Sequence, residues 1–445
     1  MKQITITVLM AFFVALQVFA ERVDMREAGV DNQEALKNTE IINNTINRLN
    51  KAGGGTLFFP SGDYLTASIH MKSNITLELE AGATLRFSDN FDDYMPFVEM
   101  RHEGVMMKSF QPLIYATDAE NITIKGEGKL DGQGKAWWKE FFRVLMDLRD
   151  NGKRDINKYQ PLFEQANDMK TLYAETNVDW HSTLDRRFLR PPFIQPLRCR
   201  NVRIEGITIV NSPFWTVNPN FCDNVTVKGV TINNVPSPNT DGINPESCSN
   251  VHISDCHISV GDDCITIKSG RDLQARKIGR PCENITITNC TMLSGHGGVV
   301  IGSEMSGGVK KVTISNCVFD GTDRGIRIKS TRGRGGVVED IRVSNVVMSD
   351  IKREAVVLNL KYSQMKMEKK SERTPVFRNI FVTGLTVRGT QTPLKVDGLP
   401  EAPIEGIVFR DIYVNDAKEE CLFRDCKDLV IDDVYVNGEK IKYEK

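Results

Sequence analysis

From residue 201 onward the chain alternates apolar and polar positions in short runs that each restart on an asparagine. Asn201-Val-Arg-Ile-Glu-Gly-Ile207, Asn224-Val-Thr-Val-Lys-Gly-Val230, Asn250-Val-His-Ile-Ser-Asp-Cys256 and Asn284-Ile-Thr-Ile-Thr-Asn-Cys290 share one pattern. Copies continue at residues 312–317, 341–346, 379–385, 407–412 and 429–434, and weaker ones start at Asn74 and Asn121. They recur roughly every 22 to 39 residues, the spacing of solenoids. An alternation of period two places every second side chain on one face, so each copy predicts a β-strand with one buried side. The sixth slot (Gly206, Gly229, Asp255, Asn289, Asn316, Asn345, Gly384, Asp411, Asp433) takes only residues that tolerate a left-handed backbone, which predicts a turn there. A further strand follows later in each copy: Ile265-Thr-Ile267, Val299-Val-Ile301, Ile326-Arg-Ile328, Val356-Val-Leu358. Three short strands per copy with unequal spacers predict an all-β chain folded as a parallel β-helix, its coils about 4.8 Å apart.

A solenoid needs covered ends. Asp31 with Glu34 reads as a capping box opening a helix, and Leu36, Ile42, Ile46 and Leu49 can share its apolar face through Asn50. Gly53-Gly-Gly55 ends that helix before strand structure begins at Leu57-Phe-Phe59, so residues 21–55 form an N-terminal cap. Residues 137–190 carry no copy of the pattern and are helix-like in part (Trp138-Lys-Glu-Phe-Phe-Arg-Val-Leu-Met). So long an excursion is read as a cover over one end of a groove rather than as a flap that only packs. Four Asn-X-Thr sequons, at Asn74, Asn121, Asn224 and Asn284, are explained as copies of the repeat start and not as glycosylation sites.

Composition then limits the function. The chain has 445 residues and net charge −1, which points to neither a nucleic-acid nor a membrane partner. Residues 1–20 read as a signal peptide: Lys2, a largely apolar run over residues 4–18, then Val18-Phe-Ala20 before Glu21. With the signal removed, no stretch could span a bilayer, and the product is expected in the periplasm or outside the cell, as one domain over residues 21–445 and as a monomer. Of 10 cysteines, Cys256, Cys290 and Cys317 fill an apolar slot of successive repeats and are expected as free, buried thiols. Cys421 and Cys426 are the pair best placed for a bridge, and no Cys/His set has zinc-ligand spacing. Neither metal nor cofactor is expected.

The chemistry is written onto the repeat as Asn239-Thr-Asp-Gly242, Gly261-Asp-Asp263, Gly295-His-Gly297 and Arg327-Ile-Lys329. With Ile265, Ile267, Ile326 and Ile328 facing inward, Thr266, Lys268, Arg327 and Lys329 must face outward. Asp263, Gly297 and Arg324 align just ahead of that strand, Asp262 and His296 sit one place earlier, and Asp241 precedes Ile243 as Asp263 precedes Ile265. The set would lie along one edge over about four coils, roughly 15–20 Å. Glycoside hydrolysis needs one protonated and one ionised carboxyl, and carboxylates this close raise one another's pKa. Arg327 and Lys329 suit the carboxylate of a hexuronate. Turns also favour Asp, Gly and Asn, but that does not explain His296, Arg327 and Lys329 on the same edge.

These four motifs, in this order, resemble the signature of glycoside hydrolase family 28, the polygalacturonases, and the likeness covers essentially the whole mature chain. The resemblance implies a right-handed parallel β-helix that hydrolyses α-1,4-galacturonan with inversion and without metal. It implies Asp262 as general acid, Asp241 and Asp263 as activators of water, His296 as support for the acid, and Arg327, Lys329 and Tyr362 as substrate-binding residues. Asn239, Lys268, Arg190 and Trp215 are candidate subsite residues, Trp215 being equally open to packing. The 137–190 block and the segments Ile267-Lys-Ser-Gly-Arg-Asp272 and Val300-Ile-Gly-Ser-Glu-Met-Ser-Gly-Gly308 look like the exo-acting bacterial branch, which removes terminal galacturonate. Alternatives are an endo-acting enzyme or a galacturonidase acting on rhamnogalacturonan. Further off stand a Ca²⁺-dependent pectate lyase, which leaves Gly-His-Gly unexplained, and a polysaccharide-binding β-helix without catalysis.

Overall fold

The computed structural model describes residues 20–151, 158–176, 189–362 and 367–442. The expected signal peptide thus lies outside the described residues, save Ala20. The repeats wind into a right-handed parallel β-helix, and the strand Ser249–Ser254 with its successors His257–Ser259 and Asp263–Ile267 makes one coil. Register follows the repeat. Val202, Val225, Val251, Ile285, Val312, Ile341, Ile380, Ile407 and Leu429 lie opposite one another from coil to coil, all buried. Such a column removes apolar surface from water at every coil, which is the main force holding a solenoid closed.

The sixth slot is left-handed throughout, from φ 77° at Gly206 to 48° at Asp433. The asparagine that starts each repeat is left-handed too, which the alternation alone did not reveal; Asn74, Asn121, Asn201, Asn224, Asn250 and Asn284 all have positive φ. Its amide carries both donor and acceptor, so stacked copies bond in a ladder. Asn121 donates to Asn74 at 2.7 Å, Asn201 to Asn121 at 2.8 Å, Asn224 to Asn201 at 3.1 Å and Asn284 to Asn250 at 3.2 Å. The sequons are therefore corners of the coil.

Cys256, Cys290 and Cys317 are buried free thiols in the expected column. A second column, Cys199, Cys222, Cys248 and Cys282, is also free and buried, with the Cys222 and Cys248 amides each donating to the next sulfur at 3.4 Å. Cys421 and Cys426 are half-buried and unbridged.

The N-terminal cap differs in detail from its sequence reading. Helix α1 runs Ala35–Lys51 with Glu34 as N-cap and no side-chain cap bond. Asp31 is no capping-box residue; its carboxylate accepts from the Gln33 amide and the Asn38 side chain. The buried face is Asn38, Ile42, Ile46 and Leu49, while Leu36 stands exposed, because it lies about 200° around the helix from Asn38. Asn38 can be buried because its amide also donates to the Leu65 carbonyl. A strand, Glu21–Asp24, precedes the helix and pairs with Gly55–Phe59.

Two additions stand off the coils. The long insertion supplies α2 (Lys135–Asn151), α3 (Tyr159–Ala166) and α4 (Met169–Glu175), in line with the expected helical excursion. The antiparallel hairpin Val98–His102 with Val105–Ser109 was not read from the sequence, since it interrupts the repeat and its turn, Glu103-Gly104, is marked by a single glycine. Met100, Val105 and Met107 of the hairpin share a small separate core with Phe163 of α3 and Leu172 of α4. A further short helix, α5 (Asp272–Ile278), meets α4 through Lys277 and Glu175, 3.1 Å apart. None of the helices among the described residues is long and apolar enough to cross a membrane.

Candidate active site

Parallel pairing sets the row of acids. Asp263 lies opposite Gly297, and the bridge between Ile243 and Ile265 puts Asp241 on the same row one coil earlier. Gly261 precedes the acid pair because a Cβ there would sit 1.7 Å from the Ser237 carbonyl oxygen, so the coil admits no side chain. Asn239 adopts φ 53°, which turns its amide back toward the acids.

Asp262 is held from two sides. His296 Nδ1 lies 3.0 Å from one carboxylate oxygen, and Asn239 Nδ2 donates to the other at 3.3 Å. The His296 backbone N–H also donates to the Asp262 carbonyl at 2.8 Å, which locks the two turns in register. Asp241 is buried, accepts from Asn244 Nδ2 at 2.9 Å and stands 3.8 Å from Lys268 Nζ. Asp263 is buried as well, with Lys329 Nζ at 2.8 Å and Arg327 Nη1 at 3.9 Å.

Three acids this close do not share one protonation state. Burial lifts the Asp241 carboxyl well above the ordinary range; the Asp262 and Asp263 charges add to this and Lys268 opposes it. Burial works to raise Asp262 too, but the His296 bond and charge, with Lys329 and Lys268, outweigh it and lower that carboxyl to about 2. The same bond raises His296 above its ordinary value. These directions favour the proton on Asp241 and the charge on Asp262 beside His296. Mutual repulsion among the acids acts in the same sense on Asp241. A proton on His296 would stand within reach of Asp262, across the 3.0 Å contact.

Tyr362 joins the site: its ring centre lies 5.6 Å from the Arg327 guanidinium and 5.4 Å from Lys329 Nζ. Facing outward from the core proves different from facing water. Lys268 is only 4% exposed, bonds Glu304 at 2.8 Å and covers the Trp215 ring at 4.6 Å. Trp215 is itself buried and stacked on Phe214, so it packs and offers no face to a sugar. Arg190 is buried between the Phe141 and Phe214 rings and donates to the Pro213 and Pro238 carbonyls and to Asn239 Oδ1. Arg190 thus holds Asn239, which holds Asp262, and Lys268 stands between Asp241, Glu304 and the Trp215 ring, so of the two uses open to Trp215 packing is the one seen. Glu304 was missed, since nothing in a Gly-Ser-Glu-Met run says that its carboxylate folds under Lys268.

Helix α2 reaches the acids. Trp138 and Phe142 line a cavity of about 510 Å³ with Pro236, Pro238, Asp262 and His296, and Trp138 Nε1 is fixed by the Ser212 carbonyl at 2.9 Å. The insertion therefore forms an apolar wall beside the candidate acid. Among the described residues no group of three or more His, Cys, Asp or Glu gathers in a metal-holding arrangement. The site can donate a proton, accept one from water and neutralise an anionic sugar.

The family model "Glycosyl hydrolases family 28" matches residues 180–429. A probable polygalacturonase of Vitis vinifera is 30% identical over 87% of this chain and 72% of its own. An endo-polygalacturonase of Pectobacterium carotovorum is 29% identical, over 67% of this chain and 65% of its own. Among solved structures, an exopolygalacturonase from Thermotoga maritima is similar with a TM-score of 0.83 at 34% identity, across 96% of this chain and 94% of that one.

Proposed function

The chain belongs to glycosyl hydrolases family 28, and within that family we propose that it is an exo-acting polygalacturonase, releasing galacturonate from chain ends of α-1,4-linked galacturonan with inversion. The observation behind the reading is that Trp138 and Phe142 of α2 line one cavity with Asp262 and His296, which we read as a wall at one end of the groove, with room for a chain end. The likeness to the Thermotoga exopolygalacturonase over nearly the full length of both chains supports the exo mode.

In this reading Asp262 protonates the glycosidic oxygen as the bond to the anomeric carbon breaks. Water, positioned by Asp241 and Asp263, attacks that carbon from the opposite face, and its proton passes to the Asp263 carboxylate. His296 restores the acid's proton across the 3.0 Å bond. Arg327 and Lys329 receive the sugar carboxylate, with Tyr362 packed against both.

A time course on polygalacturonate with chelator present, products resolved by anion exchange, tests the proposal. Galacturonate monomer alone from the outset is the expected result. A spread of oligomers overturns the exo mode, and an ultraviolet-absorbing unsaturated product overturns hydrolysis.

The His296 shift gives a pH prediction. Its pKa is raised by Asp262, so the pair keeps its proton past pH 6.5 and loses it above. kcat/KM should fall on the alkaline side as His296 deprotonates, and His296→Gln should move that limb to lower pH. An unmoved limb would assign the titration elsewhere. Substrate capture is tested by Arg327→Ala, which should raise KM for galacturonan at least tenfold; an unchanged KM removes Arg327 from the subsite.

A further inference from the structure

On the side of the acids away from α2 the groove continues into a second cavity, of about 360 Å³. Its walls include Arg324, Arg327, Arg353, Lys395, Glu354 and Tyr362. Strand register explains how the cations meet. Arg327 lies opposite Val357 and Val357 opposite Lys395, so Lys395 repeats the Arg327 position two coils on, about 10 Å away. The Arg353 amide donates to the Asp323 carbonyl at 2.8 Å and the Gly325 amide to the Glu354 carbonyl at 3.1 Å, which sets Arg353 beside Arg324 one coil along.

The charges do not cancel. Besides His296, four cations (Arg324, Arg327, Arg353, Lys395) line the cavity with two carboxylates, Asp323 and Glu354, a surplus of at least two positive charges in a chain whose net charge is −1. Glu354 is shared, at 2.8 Å from Arg324 and 3.2 Å from Lys395, and Asp323 is drawn to Lys352 at 3.2 Å. Arg353 is exposed and, among the described residues, has no ion-pair partner. Cations gathered in this way gain most from an anion that arrives with its own carboxylate and can accept two N–H bonds at once.

We propose that Arg353 and Lys395 form a further uronate seat, which takes the carboxylate of the galacturonate unit beyond the one held by Arg327, Lys329 and Tyr362. The proposal rests on the exo-polygalacturonase reading, which gives the chain its direction: the end unit lies against α2 and the polymer leaves over the cationic coils. Each sugar contributes one carboxylate, and the coil spacing is comparable with the advance of one pyranose unit. Substrates of three or more units would therefore be held better than a dimer.

Calorimetric titration of the Asp262→Asn protein with di- and trigalacturonate separates binding from turnover. The trimer should bind about tenfold tighter than the dimer, and Arg353→Ala in the same background should cut that advantage to about twofold. Because Arg353 is exposed and, among the described residues, lacks an ion-pair partner, the fold should survive the change, and Lys395→Gln should act in the same direction. A trimer advantage that survives Arg353→Ala, or an equal loss for both oligomers, overturns the seat and leaves the enzyme reading standing. No binding of either oligomer overturns both, and the absence of galacturonate release by the unsubstituted enzyme overturns the activity separately.

Discussion

Asp262→Asn should lower kcat on polygalacturonate by about a thousandfold or more while moving the dissociation constant for oligogalacturonate no more than threefold. The amide is nearly isosteric. It can still meet His296 and Asn239, which bond the carboxylate at 3.0 and 3.3 Å, so the pocket keeps its shape. What it loses is the ability to pass a proton to the leaving oxygen. An interaction made only in the transition state should cost kcat and leave ground-state binding alone. The control is a galacturonide with a good leaving group, such as a 4-nitrophenyl glycoside, whose departure needs little protonation. The variant should keep far more of its rate on that substrate than on the polymer. An equal loss on both would mean that Asp262 acts on water, and the acid would have to be sought in Asp241.

How much of this was legible in the sequence depends on what each residue answers to. The positions fixed by backbone geometry were readable: all nine sixth-slot residues are left-handed, because only Gly, Asn and Asp take that corner cheaply. The alignment of Asp241, Asp263 and Gly297 was readable for the same reason, since strict alternation and a repeat fix which residues share a row. Alternation says which side of a strand a side chain leaves from, and it is silent on what lies over that side. Lys268 points away from the core as expected, yet Glu304 covers it, and Phe214 stacks on the neighbouring Trp215. Arg190 follows a stretch with no repeat to place it, and its burial between two phenylalanine rings depends on α2, distant in sequence. The hairpin at residues 98–109 and the buried Asn38 are of this kind too: each is decided by a tertiary partner, Phe163 and Leu172 in one case, the Leu65 carbonyl in the other.

Protonation was the least legible layer, because it is a property of the three acids together, and it makes the last prediction two-sided. Asp241→Asn should lower kcat at least a hundredfold and yet raise thermal stability at neutral pH. Burial holds the Asp241 carboxyl far above the usual range, with the Asp262 and Asp263 charges acting in the same sense. A raised acid binds its proton more tightly folded than unfolded, so folding takes up a proton at any pH between the two values, and stability falls as pH climbs through that window. Asparagine is neutral at every pH and can still accept from Asn244, which bonds the acid at 2.9 Å. The variant should therefore melt higher than the parent at pH 7, and the gap should close as pH falls below about 4, where the unfolded acid is protonated as well. The opposing charge is Lys268 at 3.8 Å, but its closer partner is Glu304 at 2.8 Å, so it is not left unpaired. Melting curves of both proteins from pH 4 to 8 decide the matter. A variant that melts lower at pH 7 would mean that Asp241 is ionised against Lys268 in the folded enzyme, and the resting proton would then belong to the Asp262–His296 pair alone.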